Sequence, residues 1–197
     1  MGDNTGKVWS DSCKGAISIH GTYKEMKSKI FVLGLTHTGK NSLDAVLRGF
    51  GYTCKHYPNP KHVLEEAEKY DVLSDIPVIL FMEELDKLYP DAKFILTVRE
   101  IESWLDSTRI HFKTKPHISE LQKWTRQQIY GTATYDREIF RKAYRAHKAR
   151  VLKYFADRPD KLLVFNICGG EGYEILCPFI GEPILKGTFP HANGGRG

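Results

Sequence analysis

Apolar residues in this chain are grouped in two ways. Some stand in short unbroken runs, and others recur every three or four positions among polar neighbours. The runs Ile30-Phe31-Val32-Leu33-Gly34 and Phe94-Ile95-Leu96-Thr97-Val98 are the sharpest, and such continuous apolarity marks a strand buried on both faces. Residues 52–57, 71–75 and 161–167 read as three further strands, bounded by Pro58-Asn59-Pro60, Pro77 and Arg158-Pro159-Asp160. The spaced pattern fills the gaps between them. From Lys40 to Gly49 the residues Leu43, Val46, Leu47 and Phe50 share a helical face, and Gly49 and Gly51 end the helix. Helices are predicted likewise over 61–69, 78–89, 101–112, 117–130, 135–156 and 172–180. Residues 1–28 carry little pattern beyond a short edge strand at Ala16–His20.

Strands that alternate with helices build βαβ units. The predicted fold is α/β, with three layers (α/β/α) around a central parallel sheet of about five strands, of the P-loop nucleotide-binding type. One domain is expected over residues 29–193, with an N-terminal extension at 1–28 and a flexible tail at 194–197. Parallel sheets take ligands at the carboxyl ends of their strands, so the residues just after Leu33, Ser74 and Val98 share one rim.

Composition narrows the class without naming a function. With 197 residues, 41% of them apolar and 27% charged, the chain is ordinary for one globular domain. A net charge of +5 suits an anionic ligand but does not mark a nucleic-acid binder. Cys13, Cys54, Cys168 and Cys177 form no CxxC pair and have no histidines at zinc spacing, so no metal site is expected. Cys54 and Cys168 fall in apolar runs as small core residues, and a reducing, cytoplasmic setting is the expectation. No apolar stretch approaches the roughly 18 residues of a membrane span, so no membrane partner is expected. Residues 1–15 are polar and Gly-rich, unlike a secretory leader.

The chemistry is concentrated after the first strand. Gly34-Leu35-Thr36-His37-Thr38-Gly39-Lys40-Asn41-Ser42 joins that strand to a helix, and loop amides with a helix N-terminus make an anion site. Against the triphosphatase pattern G-x-x-x-x-G-K-[ST], the loop supplies Gly34, Gly39 and Lys40 but has Asn41 where the magnesium-binding hydroxyl belongs. Ser42 comes one residue late. That departure speaks against metal-assisted ATP hydrolysis. Arg99 at the end of another core strand and Ser107, two helical turns on, fall on the same rim. A guanidinium fork and a hydroxyl placed there suit a second phosphate.

Several separated motifs, in order, resemble the sulfotransferase superfamily, in its small single-domain branch. They are Phe31–Gly39; Ser74-Asp75-Ile76-Pro77 with Glu84-Leu85; Tyr89-Pro90-Asp91-Ala92-Lys93-Phe94-Ile95-Leu96-Thr97-Val98-Arg99; Trp104 with Ser107; then Tyr144, His147, Val151, Arg158-Pro159, Leu162-Leu163-Val164 and Phe189-Pro190-His191-Ala192-Asn193. The resemblance covers roughly residues 29–193 and implies a donor, 3′-phosphoadenosine 5′-phosphosulfate, whose sulfuryl group passes to an acceptor hydroxyl or amine. It implies that Thr36, His37, Thr38, Gly39, Lys40, Asn41 and Ser42 hold the 5′-phosphosulfate, and that Arg99 and Ser107 hold the 3′-phosphate. Such transfer needs a cation and fixed N–H donors at the leaving oxygen, and no metal. The catalytic candidates are Asp75 as base, with His37 and Lys40 as the cations. The family usually carries Arg or Lys where His37 stands, and Thr-Thr at Lys40-Asn41. The product would be adenosine 3′,5′-bisphosphate, and the acceptor a small molecule or a glycan, framed by residues 57–62 and 112–135.

Other readings stand beside this one. Gly34, Gly39 and Lys40 also fit a nucleotide kinase or triphosphatase, and His37 in place of a fixed cation fits a catalytically silent nucleotide-binding protein. Asp75 before Pro77 also suits a capping or turn residue. His56, His62, His111 and His147 read as surface or packing histidines, and Trp104 and Trp124 as core. The basic residues of 135–156 read as a solvated face over a stripe of Ile139, Phe140, Ala143, Val151 and Phe155.

Overall fold

The computed structural model describes residues 27–114 and 118–191. The expected edge strand at Ala16–His20 and the tail at 194–197 lie outside the described residues. Five strands, β1 (Ile30–Val32), β2 (Cys54–His56), β3 (Val72–Ser74), β4 (Lys93–Thr97) and β5 (Leu162–Phe165), pair in parallel in the order β2-β3-β1-β4-β5. Around them lie α1 (Lys40–Gly49), α2 (Val63–Lys69), α3 (Ile76–Ile79), α4 (Met82–Leu88), α5 (Ile101–Thr114), α6 (Glu120–Tyr130), α7 (Arg137–Tyr154) and α8 (Tyr173–Ile180). This is the three-layer α/β/α arrangement that the alternation predicts.

Period-two alternation in the strands separates the two helical layers. Ile30 and Val32 of β1 join Val72 and Ile95 on one face, against Leu43, Val46 and Leu47 of α1 and Leu176 of α8. Phe31, Leu33, Leu73, Phe94 and Leu96 point the other way, onto Val63, Met82, Leu85 and Val151. A third apolar cluster of Leu35, Ile76, Trp104, Phe112, Tyr130 and Phe140 lies off the sheet and supports the rim. Val32 pairs with both Ser74 and Ile95, so the loop after β1 leaves from the middle of the sheet, with chain connections departing to either side.

Several local expectations are corrected. The helix read as one over 78–89 is two, α3 and α4. The amides of Leu80 and Phe81 bond back three residues, to Pro77 and Val78, and this tight turn lets Ile76 and Ile79 reach the rim cluster while Met82 and Leu85 face the sheet. The strand read over 71–75 stops at Ser74, and Asp75 caps α3 instead, accepting from the Ile76 amide at 2.8 Å. Trp124 and Ile139, expected in the core, are exposed, whereas Trp104 is fully buried. Inward positions on α7 are taken by Phe140, Tyr144, His147 and Val151. Cys168 is exposed and Cys54 half-buried, while Cys177 is the buried thiol.

Candidate functional site

The loop after β1 is held from beneath. The Thr38 hydroxyl donates to the Leu35 carbonyl at 2.8 Å and lies 2.6 Å from Thr97 Oγ1 on β4. Gly34 passes so close to that pair that a Cβ on it would sit 1.7 Å from Thr97 Oγ1. The loop is glycine there because β4 leaves no room for a side chain. From the other side, Trp104 Nε1 donates to the Thr36 carbonyl at 2.7 Å, and the Tyr130 hydroxyl donates to Thr36 Oγ1 at 2.9 Å. Gly39, in the left-handed region at φ 91°, turns the chain into α1.

At one side of the loop His37 meets α5. Its Nδ1 lies 2.8 Å from Ser107 Oγ, and its ring centroid 4.6 Å from that of His111. Arg99 leaves the end of β4, where Nε donates to Ser103 Oγ at 3.0 Å and Nη1 to the His37 carbonyl at 3.4 Å. The Tyr144 hydroxyl brackets the Arg99 backbone, donating to its carbonyl at 2.6 Å and accepting from its amide at 3.1 Å. Burial and then the neighbouring His111, Lys40 and Arg99 push the His37 pKa down to about 4, so its ring is neutral at physiological pH. Arg99 is not consumed by Glu100, whose carboxylate instead accepts from the Glu102 and Ser103 amides at the start of α5.

At the other side four charged groups form a chain. Lys40 Nζ lies 3.1 Å from Asp75 Oδ1 and also donates to the Leu35 carbonyl. The second oxygen of Asp75 lies 3.2 Å from His56 Nε2. His56 Nδ1 in turn lies 2.8 Å from Asp44 Oδ2, which also accepts from the Ser74 hydroxyl at 2.7 Å. Burial alone would lower the His56 pKa, but its bonds to Asp44 and Asp75 outweigh this and raise it to about 9. Burial alone would raise that of Asp75, yet Lys40 and then His56 hold its carboxyl well below the usual carboxylate range. Two cations therefore balance two carboxylates, with Lys40 and Asp44 buried and His56 partly exposed.

Both groups open onto one cleft of about 830 Å³. Thr36, His37, Gly39, Lys40, Asn41, Ser42, Asp75, Arg99 and Ser107 all line it. Thr38 is the exception among the expected residues, since it is wholly buried and its hydroxyl serves the loop. The side chains lining the cleft bring Lys40, Arg99 and Arg126 against one acid, Asp75, among the described residues. His37, Tyr57 and Asp75 have positive φ (65°, 51° and 89°) and are the non-glycine residues that do so among those described. All three line the cleft.

The structure adds residues that the sequence reading passed over. His56 and His111 line the cleft, where they were expected as surface or packing groups; His62 is exposed and His147 packs, with Nε2 2.7 Å from the Leu33 carbonyl. His56 carried a usable signal. It ends a parallel strand and pairs with Ser74, so it stands on the same rim as the residues after Leu33 and Val98. Tyr57 and Arg126 also line the cleft and fall within the segments 57–62 and 112–135 expected to frame the acceptor, though neither was singled out there; Cys168, expected in the core, lines it too. Among the described residues no group of three or more His, Cys, Asp and Glu is placed to hold a metal, and no helix is long and apolar enough to cross a membrane.

Comparison with known proteins agrees with this fold. A protein of Aspergillus versicolor, Ava biosynthesis cluster protein M, is 26% identical over 217 residues, spanning 83% of this chain and 80% of that protein. The crystal structure of a sulfotransferase from Alicyclobacillus acidocaldarius shares the fold, with a TM-score of 0.55 at 15% identity over 85% of each chain. The family model described as a sulfotransferase domain matches residues 58–197. The chain belongs to the sulfotransferase domain family.

Proposed function

We propose that the protein transfers the sulfuryl group of 3′-phosphoadenosine 5′-phosphosulfate to an acceptor hydroxyl or amine. One observation carries the reading. The 2.8 Å contact of His37 with Ser107 joins the loop to α5, in a cleft that Arg99 also lines, an arrangement that supports a ligand with two separate phosphates. A 5′-phosphosulfate would lie against the loop amides, Thr36, Lys40, Asn41 and Ser42, and a 3′-phosphate against Arg99 and Ser107. No metal is needed, because Lys40 and the loop amides supply the positive potential at the leaving oxygen.

Asp75 is the acceptor's base. The acceptor oxygen forms a bond to sulfur as the bond from sulfur to the bridging oxygen breaks. The acceptor's proton passes to Asp75, and the electron pair of the broken bond departs with adenosine 3′,5′-bisphosphate. A carboxylate tied to Lys40 is a weak base, so the two roles are linked. When Lys40 turns from Asp75 toward the phosphosulfate, Asp75 loses its strongest ionising neighbour and gains basicity. His56, fixed by Asp44, positions the Asp75 carboxylate during this exchange.

Titration with adenosine 3′,5′-bisphosphate, beside ATP with and without magnesium, tests the donor. Tight metal-independent binding of ATP with no preference for the 3′-phosphate would sink the reading. The neutral His37 favours one alternative, a binding protein without turnover. Sulfate transfer measured in the protein and in His37→Arg separates the two, since activity confined to the variant would mean a silent binder.

A further inference from the structure

We infer that Arg126 is the anchor for a negatively charged group on the acceptor, and that the acceptor is a hydroxy-carboxylate with an apolar or aromatic body. This rests on the sulfotransferase reading and specifies the substrate class of that site. Arg126 sits on α6, which packs against the short helix α3 capped by Asp75. It is 9% exposed, and its guanidinium carbon lies 3.9 Å from the centroid of the Phe112 ring. The titratable groups that act on it among the described residues are the neutral phenols Tyr130 and Tyr57, and no carboxylate among those residues is in ion-pair contact with it.

A guanidinium removed from water is costly, and a stacked ring offsets only part of that cost. Burial accordingly lowers the Arg126 pKa. Several arginines elsewhere in the protein have acid partners. Arg137 and Arg141 pair with Glu102, and Arg158 with Asp86. Arg126 instead lines the cleft with its fork unclaimed by any acid among the described residues. The two anionic ends of the donor have their own partners, in the loop with Lys40 and in Arg99 with Ser107. The third cation of the cleft is thus left for the other substrate.

The surroundings specify the rest of that molecule. Arg126 and Ile118 also line an annex of about 360 Å³, walled by Phe112, Ala133 and Tyr135 with Lys113, Lys123 and Thr134 beside them. An aromatic or aliphatic body fits these walls, while a carboxylate meets the planar fork of Arg126 in a two-point bond. The acceptor hydroxyl then turns toward Asp75, whose helix α6 supports.

The test uses a panel of matched pairs, hydroxybenzoates and hydroxyphenylalkanoates beside their neutral carboxamides. Binding is measured by titration calorimetry with and without adenosine 3′,5′-bisphosphate. At least one carboxylate should bind about tenfold or more tightly than its amide, and Arg126→Gln should abolish the difference. Arg126→Lys, which keeps the charge but not the fork, should restore part of it. The affinity for the bisphosphate should be unchanged in both variants, which also reports that the site is folded. The inference fails if no carboxylate outbinds its amide, if the preference survives in Arg126→Gln, or if bisphosphate affinity falls with it, which would move Arg126 to the donor site. A wild-type protein that binds no bisphosphate would fail the donor reading alone, and the carboxylate–amide comparison would still decide on Arg126.

Discussion

Lys40 Nζ and Asp75 Oδ1 stand 3.1 Å apart, the lysine almost wholly enclosed and the aspartate nearly so. Removing one partner of such a pair leaves a largely buried charge without its counter-charge. Lys40→Met should cost about 3 kcal/mol, and adding Asp75→Asn to it should cost less than the sum of the two single changes. Urea unfolding of the three variants measures this. Strict additivity would show that the pair is not coupled in the folded protein.

Stability should pass through a maximum near the ordinary histidine pKa. His56 is raised from 6.5 to about 9, so its contribution is complete below about pH 6.5 and is lost as pH climbs through 9. His37 and His147 are lowered to about 4. Their sign is opposite, because the unfolded chain takes up protons that the folded one refuses, and stability falls as pH drops from 6.5 toward 4. Chemical denaturation from pH 5 to 9.5 should give a bell, and His56→Gln should flatten its alkaline limb. A wild-type curve still rising between pH 7 and 9 would contradict the His56 environment.

His37 is neutral in the free site, and an arriving phosphate favours its charged form. Binding of adenosine 3′,5′-bisphosphate at pH 7 should therefore take up a fraction of a proton. Calorimetry in two buffers of different ionisation enthalpy reads this directly. His37→Gln corrects for the ligand's own phosphates, and equal uptake in both proteins would remove His37 from the phosphate site.

Arg99 is expected to read the 3′-phosphate. Charge-assisted hydrogen bonds contribute about 1.5–3 kcal/mol, so Arg99→Ala should weaken the bisphosphate roughly 10- to 100-fold. Adenosine 5′-phosphate, which lacks the 3′ group, should lose far less. Equal losses would make Arg99 a general support of the loop through its bond to the His37 carbonyl.

Gly34→Ala tests the foundation of the loop. The new methyl would collide with Thr97 and Thr38 and break their 2.6 Å contact, for a loss of about 1–3 kcal/mol. Thermal unfolding checks the cost. A drop in bisphosphate affinity larger than the fall in folded population would show that the loop itself has moved.

The layers and the loop were legible in the sequence because β1 and β4 are unbroken apolar runs, which only a doubly covered parallel sheet accommodates. The place of Arg99 and Ser107 on the cleft was legible as well, since a strand end and two helical turns fix where they fall, whereas the contact of His37 with Ser107 was not. What escaped was set by tertiary contacts. Nothing near Leu80 and Phe81 announces a break, which arises because neighbouring turns must face different apolar clusters. Trp124 and Ile139 are apolar but lie on the outward sides of their helices. The charge balance of Lys40, Asp75, His56 and Asp44 joins three elements, α1, β2 and the cap of α3, and only the Lys40–Asp44 spacing on α1 is visible along the chain. Arg126 is buried against Phe112, fourteen residues earlier, a pairing that only the fold of α6 onto its neighbours creates.

Three residues of the cleft hold a backbone geometry better suited to glycine, at a cost of order 1–3 kcal/mol each. Natural drift that relieved this strain would be rewarded in stability and would erase the side chains of His37, Tyr57 and Asp75. Descendants of this fold that no longer perform its chemistry should therefore be recognisable by glycine at those positions. A lineage that retains all three side chains is one in which selection for what the cleft does has outweighed the easier route to a sturdier protein.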